Sequence, residues 1–558
     1  MKKTFLLSCL MLAAMPVMAA YTGHVYVDKN KNGVFDQSEK PLAGIKVSDG
    51  LNVVETAADG SFTLPGHERE RFIFITTPSG YKTFNRHYHK IEKKQSGYDF
   101  GLIPYSGRIR KDGSHRYIHI TDTEIFNTEN HADWVNNVHD YARNEQAAFI
   151  IHTGDICYEK GLKAHIKLMN TENMDCPVFY CIGNHDLVKG KYGEELFESI
   201  YGPVYYSFDA GNVHYVVTPM PGGDHAPGYT SDDVCRWLKN DLAHIRPGTP
   251  VVVFNHDLLT YEDTFIFKSK NAGSINLNEY NLKAWVYGHW HINYMKKQGD
   301  VYSVCTSSLD KGGIDHSTTA FRVMHVDSKG DFTSELRYTY LDKNICIASP
   351  AGVMASGVLP VAVNVYSSVS PVREVLYTCL ADGKPVLKNK RLLQSTDWSW
   401  NGELPLSHKY VGKELTLRVT ARFNNGEIAE AESNFICRTE KTVPLFSADW
   451  DNLSGNAKHS APVSAPLNLP LQLAWTNNVG ANLYMTSPLI HKGKVIVASV
   501  DEDLKGAGHV YALNGKDGTI LWSCPVRNSI KNSIAVDSDI VFAQDAQGFR
   551  SEEHTSEL

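Results

Sequence analysis

Five short apolar runs each end abruptly in aspartate, asparagine or histidine. This recurrence constrains the fold more than any other feature of the chain. In "RYIHITDTEIF", Arg116 to Phe126, Ile118 and Ile120 lead into Asp122 and Glu124. "AFIIHT" runs into Gly154 and Asp155, "VFYCI" into "GNHD" (Gly183 to Asp186), "PVVVF" into Asn255 and His256, and "AWVY" into "GHWH" (Gly288 to His291). Residues two apart on an extended chain project from the same side. Asp122 and Glu124 are therefore two like charges aimed at one point, and a positive partner is needed there. Helical stretches separate the runs. "HADWVNNVHDYARNEQ" gathers Trp134, Val138 and Tyr141 on one face, and "SDDVCRWLKNDLAHI" gathers Val234, Trp237, Leu238 and Leu242. Strands alternating with such helices predict an α/β domain over residues 106–345. Open α/β sheets collect their sites at the carboxyl ends of strands, and glycine permits the tight turns there.

The ordered set D-x-E, GD, GNHD, a lone histidine and GHxH resembles the calcineurin-like metallophosphoesterases over residues 106–345. The resemblance implies two β-sheets flanked by helices, with a two-metal centre. On the matching positions, Asp122, Asp155 and His291 would hold the first metal. Asp155 would bridge to the second, which Asn184, His256 and His289 would complete. His185 would stand beside the leaving oxygen as the acid, with Asp186 either its orienter or a plain helix cap. The chemistry agrees. Two divalent cations about 3.5–4 Å apart neutralise a phosphoester, lower the pKa of a bound water and clamp the attacking and leaving oxygens. Carboxylate, amide and imidazole ligands suit Mn, Fe or Zn. The implied activity is hydrolysis of a small phosphomonoester or phosphodiester by metal-activated hydroxide.

Glu124 departs from the pattern, because the usual motif is D-x-H with the histidine on the first metal. Glutamate can ligate, but it adds a negative charge. Tyr158 in "GDICY" is the alternative. G-D-x-x-Y resembles the purple acid phosphatases, whose tyrosine binds ferric iron and which also lack that histidine. A divalent pair and a mixed-valence pair both stay open. The rival from another class is a non-catalytic cell-surface binding protein with a decayed site. Decay should strike several ligands, and the other positions are intact.

The remaining sequence predicts a multidomain chain, since 558 residues exceed one core. The formal charge of −7 gives no case for nucleic acid as a partner. Residues 1–20 carry Lys2, Lys3, an apolar run and small Val17, Ala19 and Ala20, the pattern of a secretory signal peptide. The expectation is an exported protein, periplasmic or at the cell surface, with no transmembrane segment. Cys9 would serve as acceptor in a lipoprotein form. Residues 21–105 read as a β-sandwich. Its "DKNKNGVFDQSE" places Asp28, Asn30, Asn32, Asp36 and Glu39 on calcium-loop spacing, with Gly33 at the sharp turn. The loop resembles the Ca-binding B-type repeats of surface adhesins; an Asn/Gly-rich hairpin turn is the plainer alternative. Residues 346–440 read as a second β domain and 441–474 as a linker with Pro444, Pro462, Pro466 and Pro470. Residues 475–549 contain an internal repeat with Trp475 and Trp522 at matching offsets. It resembles the blades of quinoprotein-dehydrogenase-like β-propellers and is incomplete. "RSEEHTSEL", 550–558, resembles a translated sequencing adapter and predicts no strand. Oligomeric state is not legible.

Overall fold

The computed structural model describes residues 20–67, 69–439, 449–461, 473–483, 486–502, 508–548 and 550–554. Residues 1–19 of the expected leader, Cys9 included, and most of the expected linker lie outside the described residues. Among the described residues no helix is long and apolar enough to cross a membrane.

Two sheets form the central domain. The first runs Val178–Tyr180, Phe149–His152, His115–Ile120, Ala320–Val326, Phe332–Tyr338 across its width. Its first three strands are parallel, and the other two are antiparallel to their neighbours. The second runs Tyr206–Ala210, Val213–Val217, Val251–Phe254, Leu282–Tyr287, Val301–Cys305, Tyr294–Gln298. Its inner four strands are parallel and its edges antiparallel.

Period-two alternation decides what each strand faces. Tyr117, Phe149 and Ile151 enter the layer between the sheets with Tyr215 and Phe254. Ile118, Ile120 and Ile150 face the opposite way, toward Trp134, Val138 and Tyr141 of the helix Ala132–Asn144 and Leu162 of Tyr158–Leu168. The Tyr117 and Phe149 rings stack at 4.7 Å, and truncating such a buried ring costs about 3–5 kcal/mol. The helix Ser231–Leu242 starts at a reciprocal cap between Thr230 and Asp233 and lays Trp237, Leu238 and Leu242 on the second sheet. Parallel strands carry their carboxyl ends to one edge, so the polar turns of both sheets meet there.

Before this domain, a five-stranded and a four-stranded sheet share a core of Val25, Val47, Phe62, Ile73 and Phe100. After it, a four-stranded and a five-stranded sheet share Val361, Val363, Tyr377, Leu417 and Val419. The boundary expected at 345 falls inside a strand, Asn344–Ser349, which pairs with Gly357–Tyr366. The C-terminal β unit has a four-stranded antiparallel sheet from Leu489–His491 to Ile520–Val526, then a three-stranded one. The expectation of no strand beyond residue 549 is corrected: Arg550–His554 pairs antiparallel with Ile540–Gln544. Pairing uses main-chain groups that every sequence offers.

Candidate metal centre

The turns at the carboxyl ends are locally left-handed. Asp122, Asp155, His289 and His291 have φ of 50°, 54°, 65° and 51°. Such a backbone costs an L-residue about 1–2 kcal/mol and persists only where the surroundings over-determine it. Two glycines let the turns interlock. A Cβ on Gly183 would lie 2.2 Å from Asp155 Oδ1, and one on Gly288 would lie 1.9 Å from Thr121 Oγ1 and 2.6 Å from Asp122 Oδ2. GNHD and GHWH therefore need their glycines for close approach.

Asp122 is fully buried. Its Oδ2 accepts from Thr121 Oγ1 at 2.7 Å and from the His289 amide at 3.1 Å. Its Oδ1 faces His291 Nε2 at 3.3 Å and His256 Nε2 at 4.0 Å. Asp155 presents Oδ2 to His256 Nε2 at 3.1 Å, while its Oδ1 accepts from the His185 amide at 3.0 Å. His256 Nδ1 lies 2.7 Å from the Thr153 carbonyl, so Nδ1 carries a proton and Nε2 faces the carboxylates. Asp155, His256 and His289 bring one ligand atom each within 4.8 Å of one another.

Among the described residues, three buried atoms here make no well-aligned hydrogen bond: Asn184 Oδ1 has no partner, and Asp122 Oδ1 and His256 Nε2 have only the ion-pair approaches of His291 and Asp155. Buried polar atoms are ordinarily paired. Two oxygens and an imidazole nitrogen, left open beside Asp155 and His289, are the donor set of a hard-to-borderline divalent cation. Burial works against a charged His256 ring, but Asp155 and then Asp122 outweigh it and push its pKa up to about 9. The pocket thus favours positive charge.

His185 and Asp186 have separate tasks. Asp186 does not reach His185, which corrects the expectation of an orienter. Its Oδ1 accepts from the Cys157 amide and its Oδ2 from the Gly183 amide, both at 2.9 Å. It ties two site loops together, and burial, reinforced by Asp155, pushes its carboxyl up to about 7. The partner of His185 is Asp224, whose Oδ2 lies 2.9 Å from Nδ1. Burial lowers the His185 pKa, but the bond to Asp224 and the charge of Asp155 outweigh it and the net shift is upward. Asp224 sits in the Gly/Pro-rich "PMPGGDHAPG" loop, which has no periodicity to mark it.

Glu124 sends Oε1 to within 3.6 Å of His291 Nε2 and Oε2 to 2.7 Å from Lys311 Nζ. Lys311 carried no signal in the sequence. Tyr158 opens its helix and is 44% exposed. Its ring leans toward His185 at 5.4 Å and stacks with Phe126 at 6.4 Å. Away from this centre, the Asp28 to Glu39 loop closes on itself. Asp28 accepts from the amides of Asn32 and Gly33, Glu39 from those of Lys29 and Asp36, and the Asn30 and Asn32 side chains donate to Asp36.

Residues 115–293 match the family model described as Calcineurin-like phosphoesterase, and residues 29–104 match that of its N terminal. Purple acid phosphatase 13 of Arabidopsis thaliana is 26% identical over 215 residues, 36% of this chain and 36% of its own length. The chain thus spans little more than a third of that relative. Among solved structures, a conserved uncharacterized protein from Streptococcus pneumoniae, described as a predicted phosphoesterase, is 10% identical. It covers 41% of this chain and 98% of its own, with a TM-score of 0.20. BamB from Moraxella catarrhalis is 12% identical, covering 42% and 66%, with a TM-score of 0.14. TM-scores of that size carry no argument about this chain. The strand-end residues and the family match agree on one statement: residues 115–293 are a calcineurin-like phosphoesterase domain, preceded by that family's N-terminal domain.

Proposed function

We propose that the protein hydrolyses a phosphoester at a two-metal centre held by Asp122, Asp155, Asn184, His256, His289 and His291. The observation that carries this is the convergence of three buried ligand atoms that make no well-aligned hydrogen bond, Asp122 Oδ1, Asn184 Oδ1 and His256 Nε2, beside Asp155. Two divalent ions, Mn, Fe or Zn, would neutralise the phosphoester and supply a nucleophile from water at neutral pH. Asp155, His256 and His289 bring their ligand atoms within 4.8 Å of one another, and the Thr153 carbonyl holds His256 in the tautomer a cation ligand needs. His185 donates its proton to the leaving oxygen, with Asp224 on Nδ1 aiming the ring. Glu124, rather than Tyr158, completes the His291 side, on the strength of its 3.6 Å approach to that ring.

The same proposal takes the protein as exported, on the residue pattern of 1–20, with calcium in the Asp28 to Glu39 loop and the start of a propeller at the C-terminus. The test is metal analysis of the purified chain with hydrolysis assays on a nitrophenyl monoester and diester. Two bound ions and turnover that vanishes in Asp155→Ala are expected. A chain that takes up no divalent ion and cleaves neither ester would return the cell-surface binding protein instead.

A further inference from the structure

The C-terminal β unit reaches into the central domain at two places, and both lie behind proposed metal ligands. The first is Lys531. Its amine is nine-tenths buried and donates to Asp315 Oδ2 at 2.8 Å, to the Asn293 carbonyl and to the Glu502 carboxylate. Asn293 lies two residues after His291. Its side-chain oxygen accepts from the Ser307 amide at 3.0 Å, and the carbonyl of His291 itself accepts from the Ile314 amide at 2.9 Å. The turn that presents His291 is therefore gripped at both ends, and Lys531 ties the two grips through Asn293 and Asp315. This matters because His291 has φ 51°, a conformation that relaxes unless its neighbours enforce it.

The second place is Arg322, which is fully buried. It donates to the main-chain carbonyl of Glu502 at 2.8 Å, to Thr306 Oγ1 at 3.0 Å and to the Cys305 carbonyl at 3.1 Å. Thr306 Oγ1 lies 2.8 Å from His119 Nδ1, and His119 Nε2 lies 2.8 Å from Thr153 Oγ1. Thr153 offers its carbonyl to His256. An unbroken buried chain of hydrogen bonds thus runs from Glu502 to the residue that fixes the His256 tautomer. Networks of this kind, satisfied throughout, rigidify what they join.

We propose that the C-terminal β unit is a positioning part of the metal centre, with Lys531 the positioning residue for His291. This rests on the two-metal phosphoesterase function and adds to it a requirement that residues far along the chain complete the first metal's geometry. Lys531 touches neither metal nor substrate. Its loss leaves the Asp315 and Glu502 carboxylates without their shared cation and frees the Asn293 carbonyl, so the His291 turn relaxes while Asn184, His256 and His289 keep their places.

The experiment titrates the metal-free full chain with Mn²⁺ by calorimetry, for wild type, Lys531→Met, Lys531→Arg and Asp315→Asn, with a thermal scan of each. Wild type is expected to show two binding events. Lys531→Met should weaken one of them tenfold or more and leave the other within twofold, and Lys531→Arg should restore it. Asp315→Asn, which keeps the shape and removes the negative charge facing the amine, should weaken the same event and decides the matter should Lys531→Met not fold. Two unchanged binding events in folded Lys531→Met, or in Asp315→Asn, would overturn the inference and leave the phosphoesterase function standing. A wild-type chain that binds no ion would overturn both.

Discussion

Lys311 donates through one amine to both the carboxylate of Glu124, at 2.7 Å, and its main-chain carbonyl, at 3.1 Å. The negative charge that Glu124 adds to the centre comes with its own counter-ion. Lys311 is half exposed, so the pair contributes about 1 kcal/mol or less. Lys311→Met should therefore change Mn²⁺ affinity only a few-fold, and upward, because Glu124 is released to the cation. Glu124→Gln should lower metal content, and Tyr158→Phe should leave it unchanged. Metal analysis and a visible spectrum of each variant decide this. Metal loss in Tyr158→Phe alone, from a coloured wild type, would transfer the role to the tyrosine.

His185 and Asp224 should share a kinetic signature. His185→Ala should keep full metal content and lose about 10²–10⁴-fold in rate. Asp224→Asn should lose less, since the ring remains and only its aim is relaxed. Both losses should shrink for a nitrophenyl ester, whose leaving group needs little protonation. Equal losses on good and poor leaving groups would rule out the acid role.

Asp186 should act on stability. Asp186→Ala strands the buried amides of Gly183 and Cys157, each costing about 1–3 kcal/mol. The melting temperature should fall by several degrees. A thermal scan showing no change would mean that water replaces the carboxylate at both amides.

Calcium should raise the melting temperature of the full chain, and Asp28→Asn should abolish the rise. Free calcium at about 100-fold over the dissociation constant adds about 2.7 kcal/mol. Superimposable scans with calcium and with chelator would leave the Asp28 to Glu39 loop as a turn closed by its own side chains.

A buried pair far from the metal centre sets a pH dependence. His214 lies between Asp209 Oδ1 at 2.7 Å and Asp241 Oδ2 at 2.8 Å, with Lys46 Nζ at 3.4 Å. Burial and Lys46 disfavour the charged ring, but Asp241, with the hydrogen bond to Asp209, outweighs them and the His214 pKa is raised. Asp241 is lowered, because His214 outweighs its own burial. The His214 contribution is complete below its unfolded value near 6.5 and lost as pH rises through the raised folded value. The Asp241 contribution is present above about 3.9 and lost as pH falls through its lowered value. Denaturant unfolding should give lower stability at about pH 9 than at about pH 6, with a smaller difference in His214→Gln. An undiminished difference in that variant would assign the dependence elsewhere.

The strand ends were legible because a strand buried on both faces must be apolar throughout, so "AFIIHT" and "PVVVF" stand out against the polar turns after them. The helix Ala132–Asn144 was legible from the spacing of Trp134, Val138 and Tyr141. Asp224 and Lys311 were not, because irregular loops deliver them and only tertiary contact brings them to His185 and Glu124. Asp186 was ambiguous for a local reason: a carboxylate three residues past Gly183 can turn back on the main chain, and it does. Composition changes near 345, while the chain crosses that point inside a strand, through the pairing of Asn344 with Tyr366.

The four left-handed ligand turns have a consequence for how the protein breathes. Strain of about 1 kcal/mol or more per turn is held at one edge of two otherwise rigid sheets, so that edge should open locally well before the molecule unfolds. Amide exchange at Asp122, Asp155, His289 and His291 should be fast in the metal-free chain and slow once cations bridge the turns. Phe149–His152 and Val251–Phe254 should exchange only through global opening in either state. The centre would then behave as a clasp that a bound ion fastens. The fraction of molecules competent at any moment would follow the metal supply of the surroundings as much as the amount of protein made.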